Sequence, residues 1–138
     1  MVEAFVADAN LFVSAILSET SGPVAFSLLT GADAVYIPTV CQAEVAHVVL
    51  RKFRQNRLTR EEAEFAFSTF LTLPNVHRQD DPIFNQTMFV TALGRNLGSN
   101  DLIYALLAQR LDLPFVTADA GLITNASGLC RCVDLRTL

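Results

Sequence analysis

The sequence predicts an α/β protein, a single domain over residues 1–138 built on a central parallel sheet of about five strands with helices on both faces. Three observations predict it. Short apolar runs alternate with longer segments of helical period, an order that leads to parallel strands joined by crossover helices. The 138 residues are enough to bury one core without disulfide or metal staples. Apolar residues make up 51% of the chain and charged residues 17%, a balance that suits a packed domain and excludes a disordered, solvating one.

Each element carries its own signal. Ala4-Phe5-Val6-Ala7 is a short apolar run ending at Asp8, and Leu11 to Leu17 continues with helical spacing, so a strand is followed by a helix. Ser21-Gly22-Pro23 opens a second helix that stops near Gly31, and Ala34-Val35-Tyr36-Ile37 before Pro38 reads as a buried strand. A long helix is expected from Thr39 to Asn56. The next starts at Thr59, whose hydroxyl and Glu62 three positions later form a capping-box pattern, and ends near Pro74. Asn75 to Arg78 is a short strand. Asp81-Pro82 has the form of a helix start, an N-cap residue followed by proline, for a helix reaching Leu97. Ser99 is expected to cap a helix through Leu111, with strands at Pro114–Thr117, ending at Asp119, and at Cys130–Leu135.

No apolar run approaches the roughly 18 residues a membrane span needs, and Met1-Val2-Glu3 lacks a basic region ahead of a hydrophobic stretch, so a cytoplasmic protein is expected. Cys41, Cys130 and Cys132 are an odd number without zinc-ligand or redox spacing, and read as buried or half-buried free thiols. The formal charge is −4, yet Arg51, Lys52, Arg54, Arg57 and Arg60, half of the ten basic residues, fall together. That local positive stripe suits phosphate contact, and equally suits a solvated helix end.

Open parallel sheets bind ligands beyond the carboxyl ends of their strands, where the strand order reverses. Asp8 follows the first strand, Asp119 follows the fourth, and Asp101 lies in the first turn of the helix leading into that strand. Taken alone, each reads equally as a helix cap. Together they converge on one end of the sheet. Glu44 joins them from the long helix, where Cys41, Val45, Ala46, Val48, Val49, Leu50 and Phe53 cover most of the circumference. Glu44, His47, Arg51 and Arg54 are left in a narrow polar stripe, as on a helix open to water only along a cleft.

These residues resemble the PIN-domain nucleases, and among them the VapC-type toxins of toxin–antitoxin pairs. The resemblance rests on Phe5-Val6-Ala7-Asp8-Ala9-Asn10, on Glu44, on Ser99-Asn100-Asp101-Leu102-Ile103-Tyr104-Ala105, and on Phe115-Val116-Thr117-Ala118-Asp119, and spans nearly the whole chain. It implies that Asp8, Glu44, Asp101 and Asp119 are catalytic and hold divalent metal, with Asn10 and Thr117 as supporting polar groups. It implies RNA as substrate and an antitoxin protein as partner. One departure is Gly121-Leu122, which stands where some relatives place another acid, so one ion and two stay equally open.

All-oxygen carboxylate donors favour hard, six-coordinate ions such as Mg²⁺ or Mn²⁺. Without the four acids, acidic and basic residues balance at ten each, so the net negative charge is numerically the site. Arg51 and Arg54 are the expected phosphate contacts, since guanidinium groups pair bidentately with phosphate. His47 is the less apt general base, because a metal-activated water needs no histidine. The apolar content, and Phe65 set among Glu61, Ser68 and Thr69 on the outer face of its helix, point to a homodimer that can also dock a partner helix.

Competing readings make different demands. A haloacid-dehalogenase-type phosphatase needs a second aspartate two positions after the first, where Asn10 stands. A receiver domain needs a lysine after a late strand, and the one lysine is Lys52 in a helix. An RNA-processing nuclease outside a toxin–antitoxin pair, or a PIN-like binding module without catalysis, would differ in genome neighbourhood or in metal-dependent cleavage.

Overall fold

Strand β1 (Ala4–Ala7) is the centre of the molecule, and Phe5, Val6 and Ala7 have no exposure at all. A computed structural model describes residues 3–17 and 19–138; Met1 and Val2, at the start read above as lacking a targeting segment, lie outside the described residues, as does Ser18. The other strands are β2 (Ala34–Pro38), β3 (Val76–Gln79), β4 (Phe115–Thr117) and β5 (Cys132–Asp134). All pair in parallel in the order β3-β2-β1-β4-β5, with Val6 opposite both Tyr36 and Phe115. The order reverses between β1 and β4, which makes the space beyond their carboxyl ends the sheet's switch point.

Seven α-helices surround the sheet among the described residues: α1 (Ala9–Ile16), α2 (Gly22–Gly31), α3 (Val40–Arg54), α4 (Arg60–Leu71), α5 (Gln86–Arg95), α6 (Ser99–Leu111) and α7 (Ala120–Ala126). α1 to α4 pack on one another, with Phe12 and Phe70 meeting edge to face at 4.9 Å. α6 crosses β1, β2 and β4, flanked by α5 and α7, so both faces are covered. α6 is apolar almost all round, with Leu102, Ile103, Tyr104, Ala105, Leu107 and Ala108 buried, the pattern of a helix enclosed by its neighbours. α1 and α2 approach so closely that a Cβ on Gly22 would lie 2.7 Å from the Ser14 carbonyl oxygen, which leaves room for glycine only.

The capping box at Thr59 forms: Glu62 N–H donates to Thr59 Oγ1 at 3.1 Å and Thr59 N–H to Glu62 Oε1 at 2.8 Å. Several boundaries differ from the sequence expectation, each for a local reason. No helix starts at Asp81-Pro82, because the Asp81 carboxylate accepts from the Val40 N–H at 3.1 Å and so caps α3. α5 begins at Gln86 instead, capped by Asn85, which accepts from the Met88 N–H at 2.9 Å, and it ends at Asn96 in the left-handed region. Ser99 is the first residue of α6, and Gly98, in extended backbone, holds the cap position. α4 stops at Leu71, well short of Pro74. β5 is shorter than Cys130–Leu135: Cys130 makes only an isolated bridge with Ser127, and Asp134 turns the chain by accepting from the Arg136 N–H. Leu50 and Phe53 of α3 are exposed at 46% and 40%, so its buried arc is Cys41, Val45 and Val49, narrower than the wheel suggested. The three cysteines are free thiols, Cys41 buried and the others half-buried, as expected.

Candidate functional site

At the switch point the four acids read from the sequence come from four different elements. Asp8 follows β1, Asp119 follows β4, Glu44 is in the second turn of α3 and Asp101 is in the first turn of α6. All four line one cleft of about 660 Å³, together with Asn10, Asn100, His47, Arg51 and Lys52. Arg54, the other expected phosphate contact, is exposed at the end of α3 and does not line it. At about 3.6 residues per turn Arg51 comes round to the side of Glu44 and His47, whereas Arg54 lies beyond the cleft's edge.

Asp8 is held by a small polar hub. Its Oδ2 accepts from Thr117 Oγ1 at 2.6 Å and from Asn10 Nδ2 at 3.0 Å. Thr117, fully buried at the end of β4, also accepts from Asn10 Nδ2 at 3.2 Å and from the Asp119 N–H at 3.1 Å. One hydroxyl therefore ties together the ends of β1 and β4 and the two acids that follow them. Asp119 is exposed and caps α7, its Oδ1 accepting from the Leu122 N–H at 3.0 Å. Its cap role and its place in the cleft coexist on one side chain.

Glu44 is held from α6. Tyr104 donates to Oε1 at 2.7 Å, and Asn100 Nδ2 reaches Oε2 at 3.4 Å. Tyr104 is fully buried and stacks on Phe115 of β4, ring centroids 5.5 Å apart. Neither Tyr104 nor Asn100 was singled out from the sequence as a partner of Glu44. A tyrosine in an otherwise apolar stretch, four positions after an asparagine, was the signal present, because a buried phenol needs a hydrogen-bond acceptor.

The electrostatics are those of crowded, uncompensated acids. Among the described residues none of the four takes part in an ion pair; Lys52, on the cleft wall, pairs with Glu19 at 3.8 Å. Burial pushes Asp8 up to about 6 from 3.8, opposed by the Thr117 hydrogen bond and reinforced by the charges of Glu44 and Asp101. Asp101 is raised as well, first by burial and then by Asp119 and Glu44. Among the described residues no three of these side chains are gathered into a ready-made chelating cluster. Their donor chemistry, oxygen only and outside any ion pair among the described residues, nonetheless fits a hard divalent ion.

A parallel α/β sheet whose switch point opens into a cleft of carboxylates, with a basic lip on α3, defines the class: an acidic-site protein of the open-sheet type. The chain belongs to the PIN domain family, whose model matches residues 5–127. PIN domains are generally nucleases and generally use divalent metals. No curated protein matches the sequence. Among solved structures the chain is similar to PAE2754 from Pyrobaculum aerophilum, at 19% identity and a TM-score of 0.75, covering 99% of this chain and 91% of that one. It is similar to a chain of FitAcB from Neisseria gonorrhoeae, at 15% identity and a TM-score of 0.64, covering 97% and 99%. A chain of VapBC2 from Rickettsia felis, in a structure with a DNA fragment from their promoter, matches at 18% identity and a TM-score of 0.62, covering 95% and 98%. At these identities the likeness is one of fold. No helix among the described residues is long and apolar enough to cross a membrane.

Proposed function

We propose that this protein is a divalent-metal-dependent endoribonuclease of the cytoplasm, the toxin of a VapBC-type toxin–antitoxin pair. Asp8, Glu44, Asp101 and Asp119 are its catalytic acids and would hold Mg²⁺ or Mn²⁺. The observation that carries the reading is the set of four cleft-lining carboxylates, none of them in an ion pair among the described residues and one of them raised to about 6. So much unpaired negative charge is costly to the fold and is useful only to a cationic ligand. When bound, such an ion supplies charge neutralisation at the phosphate and a more acidic water.

The chain's own residues divide the remaining work. Thr117 and Asn10 fix Asp8, and Asp119 is held by its cap bond to α7. Arg51 stands on the cleft wall as a bidentate phosphate contact, and Arg54 extends the positive stripe outside it. The antitoxin reading is supported by FitAcB and VapBC2 among the structural neighbours. It is supported also by a second, apolar groove of about 540 Å³ between α3 and α4, lined by Ala46, Val49, Leu50, Ala63, Phe67 and Leu71. Glu64 and Ser68 complete its lining, a mostly apolar trough of the kind that takes the apolar face of an amphipathic helix.

The protein is also read as a homodimer, and the surface for it is on α5. Ile83, Phe89, Val90 and Leu93 are exposed at 91%, 51%, 56% and 68%, and residues 82–94 carry no charged side chain. A twofold interface sets each group beside its own copy, so a neutral apolar face suits self-association. Phe65, 73% exposed as its helical position implied, lies on charged α4 and fits the partner-helix alternative better.

The test of the proposed activity is cleavage of single-stranded RNA by purified protein with Mn²⁺, its loss in chelator, and its loss in Asp8→Asn. An Asp8→Asn protein that cleaves at the wild-type rate would overturn the assignment.

A further inference from the structure

We propose that Tyr104 is the positioning residue for Glu44: its phenol occupies one carboxylate oxygen and leaves Oε2 as the single oxygen that Glu44 offers to a divalent cation. This rests on the reading of Glu44 as a metal-holding acid. The two oxygens of Glu44 are treated unequally. Oε1 accepts from the Tyr104 hydroxyl at 2.7 Å, a short, charge-assisted bond, whereas the contact of Asn100 with Oε2, at 3.4 Å, is too long to hold it firmly. Oε2 is therefore the oxygen left for the cleft.

The donor is itself rigid. Tyr104 has no exposure, and its ring lies against Phe115 at an interplanar angle of 18°, so its direction is set by the central strand β4. Phe115 pairs with β1 on one side and β5 on the other. Glu44, by contrast, is a long side chain on a half-open helix face, which left alone would sample several rotamers and pay entropy on binding an ion. The bond from α6 to α3 removes that freedom beforehand. α6 thereby contributes twice, with Asp101 as a cleft acid and, one turn later, with the group that aims the acid of the neighbouring helix.

The experiment measures Mn²⁺ affinity of the full chain by the electron paramagnetic resonance of free ion, for wild type, Tyr104→Phe, Glu44→Gln and the double variant. Phenylalanine keeps the ring and its stack on Phe115 and deletes only the hydroxyl, and Glu44, half exposed, can take water in its place. Tyr104→Phe is expected to weaken Mn²⁺ binding by about 10- to 100-fold. It should lower kcat on RNA while KM for RNA stays within about twofold. In the double variant the Phe substitution should add nothing to the loss caused by Glu44→Gln, since it acts through that carboxylate. If Tyr104→Phe binds Mn²⁺ like wild type while Glu44→Gln is impaired, Tyr104 only packs and the inference is wrong. If Glu44→Gln itself binds like wild type, the assignment of Glu44 fails, and the inference fails with it.

Discussion

Replacing Asp8 with Asn should make the metal-free protein more stable at neutral pH, although it removes the most buried acid of the site. Asp8 is only 8% exposed and its ionisation is pushed up to about 6 from 3.8, with burial as the first cause. Between those two values the folded chain binds a proton that the unfolded chain has released, so stability falls as pH rises and the loss is complete above about pH 6. The gap corresponds to about 3 kcal/mol, at 1.36 kcal/mol for each tenfold change. For a chain of this length the unfolding entropy is on the order of 0.3 kcal/mol per degree, so the penalty corresponds to about 10 °C in Tm. Asparagine keeps an oxygen to accept from Thr117 and Asn10 and carries no charge. Denaturant or thermal melts in chelator, run from pH 4 to pH 8, should show the two proteins nearly equal at the acid end. They should diverge to a higher Tm for Asp8→Asn above pH 6, and added Mn²⁺ should restore the wild type and leave the variant unmoved. A variant less stable than wild type by the same amount at every pH would mean that Asp8 serves the fold as a hydrogen-bond acceptor and that the charge argument is wrong.

Asp101→Asn should likewise melt above wild type in chelator and gain less from Mn²⁺, the net of a relieved charge and a lost helix-dipole interaction of roughly 0.3 to 1 kcal/mol; equal metal responses in thermal melts would make Asp101 a structural cap. Arg51→Ala should raise KM for RNA and flatten the salt dependence of binding by about one unit of slope, with Arg54→Ala smaller in both; titrations at several salt concentrations separate them. Leu93→Glu, at a position 68% exposed, should convert a dimer to a folded monomer in sedimentation, whereas Phe65→Ser should leave the dimer intact. A wild type that is monomeric at tens of micromolar would dispose of the α5 interface.

The parts of the fold legible in the sequence were those governed by neighbours along the chain. β1, β2 and β4 announced themselves as short apolar runs closed by Asp or Pro, and Thr59 with Glu62 formed the box their spacing implied. Errors arose where a residue's partner was far away in sequence. Asp81 looked like a helix cap and is one, but of α3, forty-one positions upstream. At the site Asp8 and Asp119 could be read together because parallel topology gathers strand ends by rule, and Glu44 because its helix left one narrow polar stripe. Tyr104 could not, since its meaning depends on which side chain of α3 lies opposite, a matter of helix docking and not of spacing. That Arg54 stands outside the cleft's lining was not legible for a related reason: a helical wheel shows which side of α3 a residue occupies but not where along its length the cleft ends.

The hub at Thr117 joins residues more than a hundred positions apart, since its hydroxyl meets Asp8 on one side and the backbone of Asp119 on the other. During synthesis this has a simple effect. When about the first hundred residues have left the ribosome, β1, β2 and β3 can already pair, and Asp8 and Glu44 are present, but β4, Thr117 and Asp119 have not yet been made. The contacts that complete the cleft are the most distant in the chain and carry the largest loop-closure cost. A chain that stops short of β4 therefore lacks both the Thr117 hydroxyl and Asp119, and on the proposed reading it carries only a partial site.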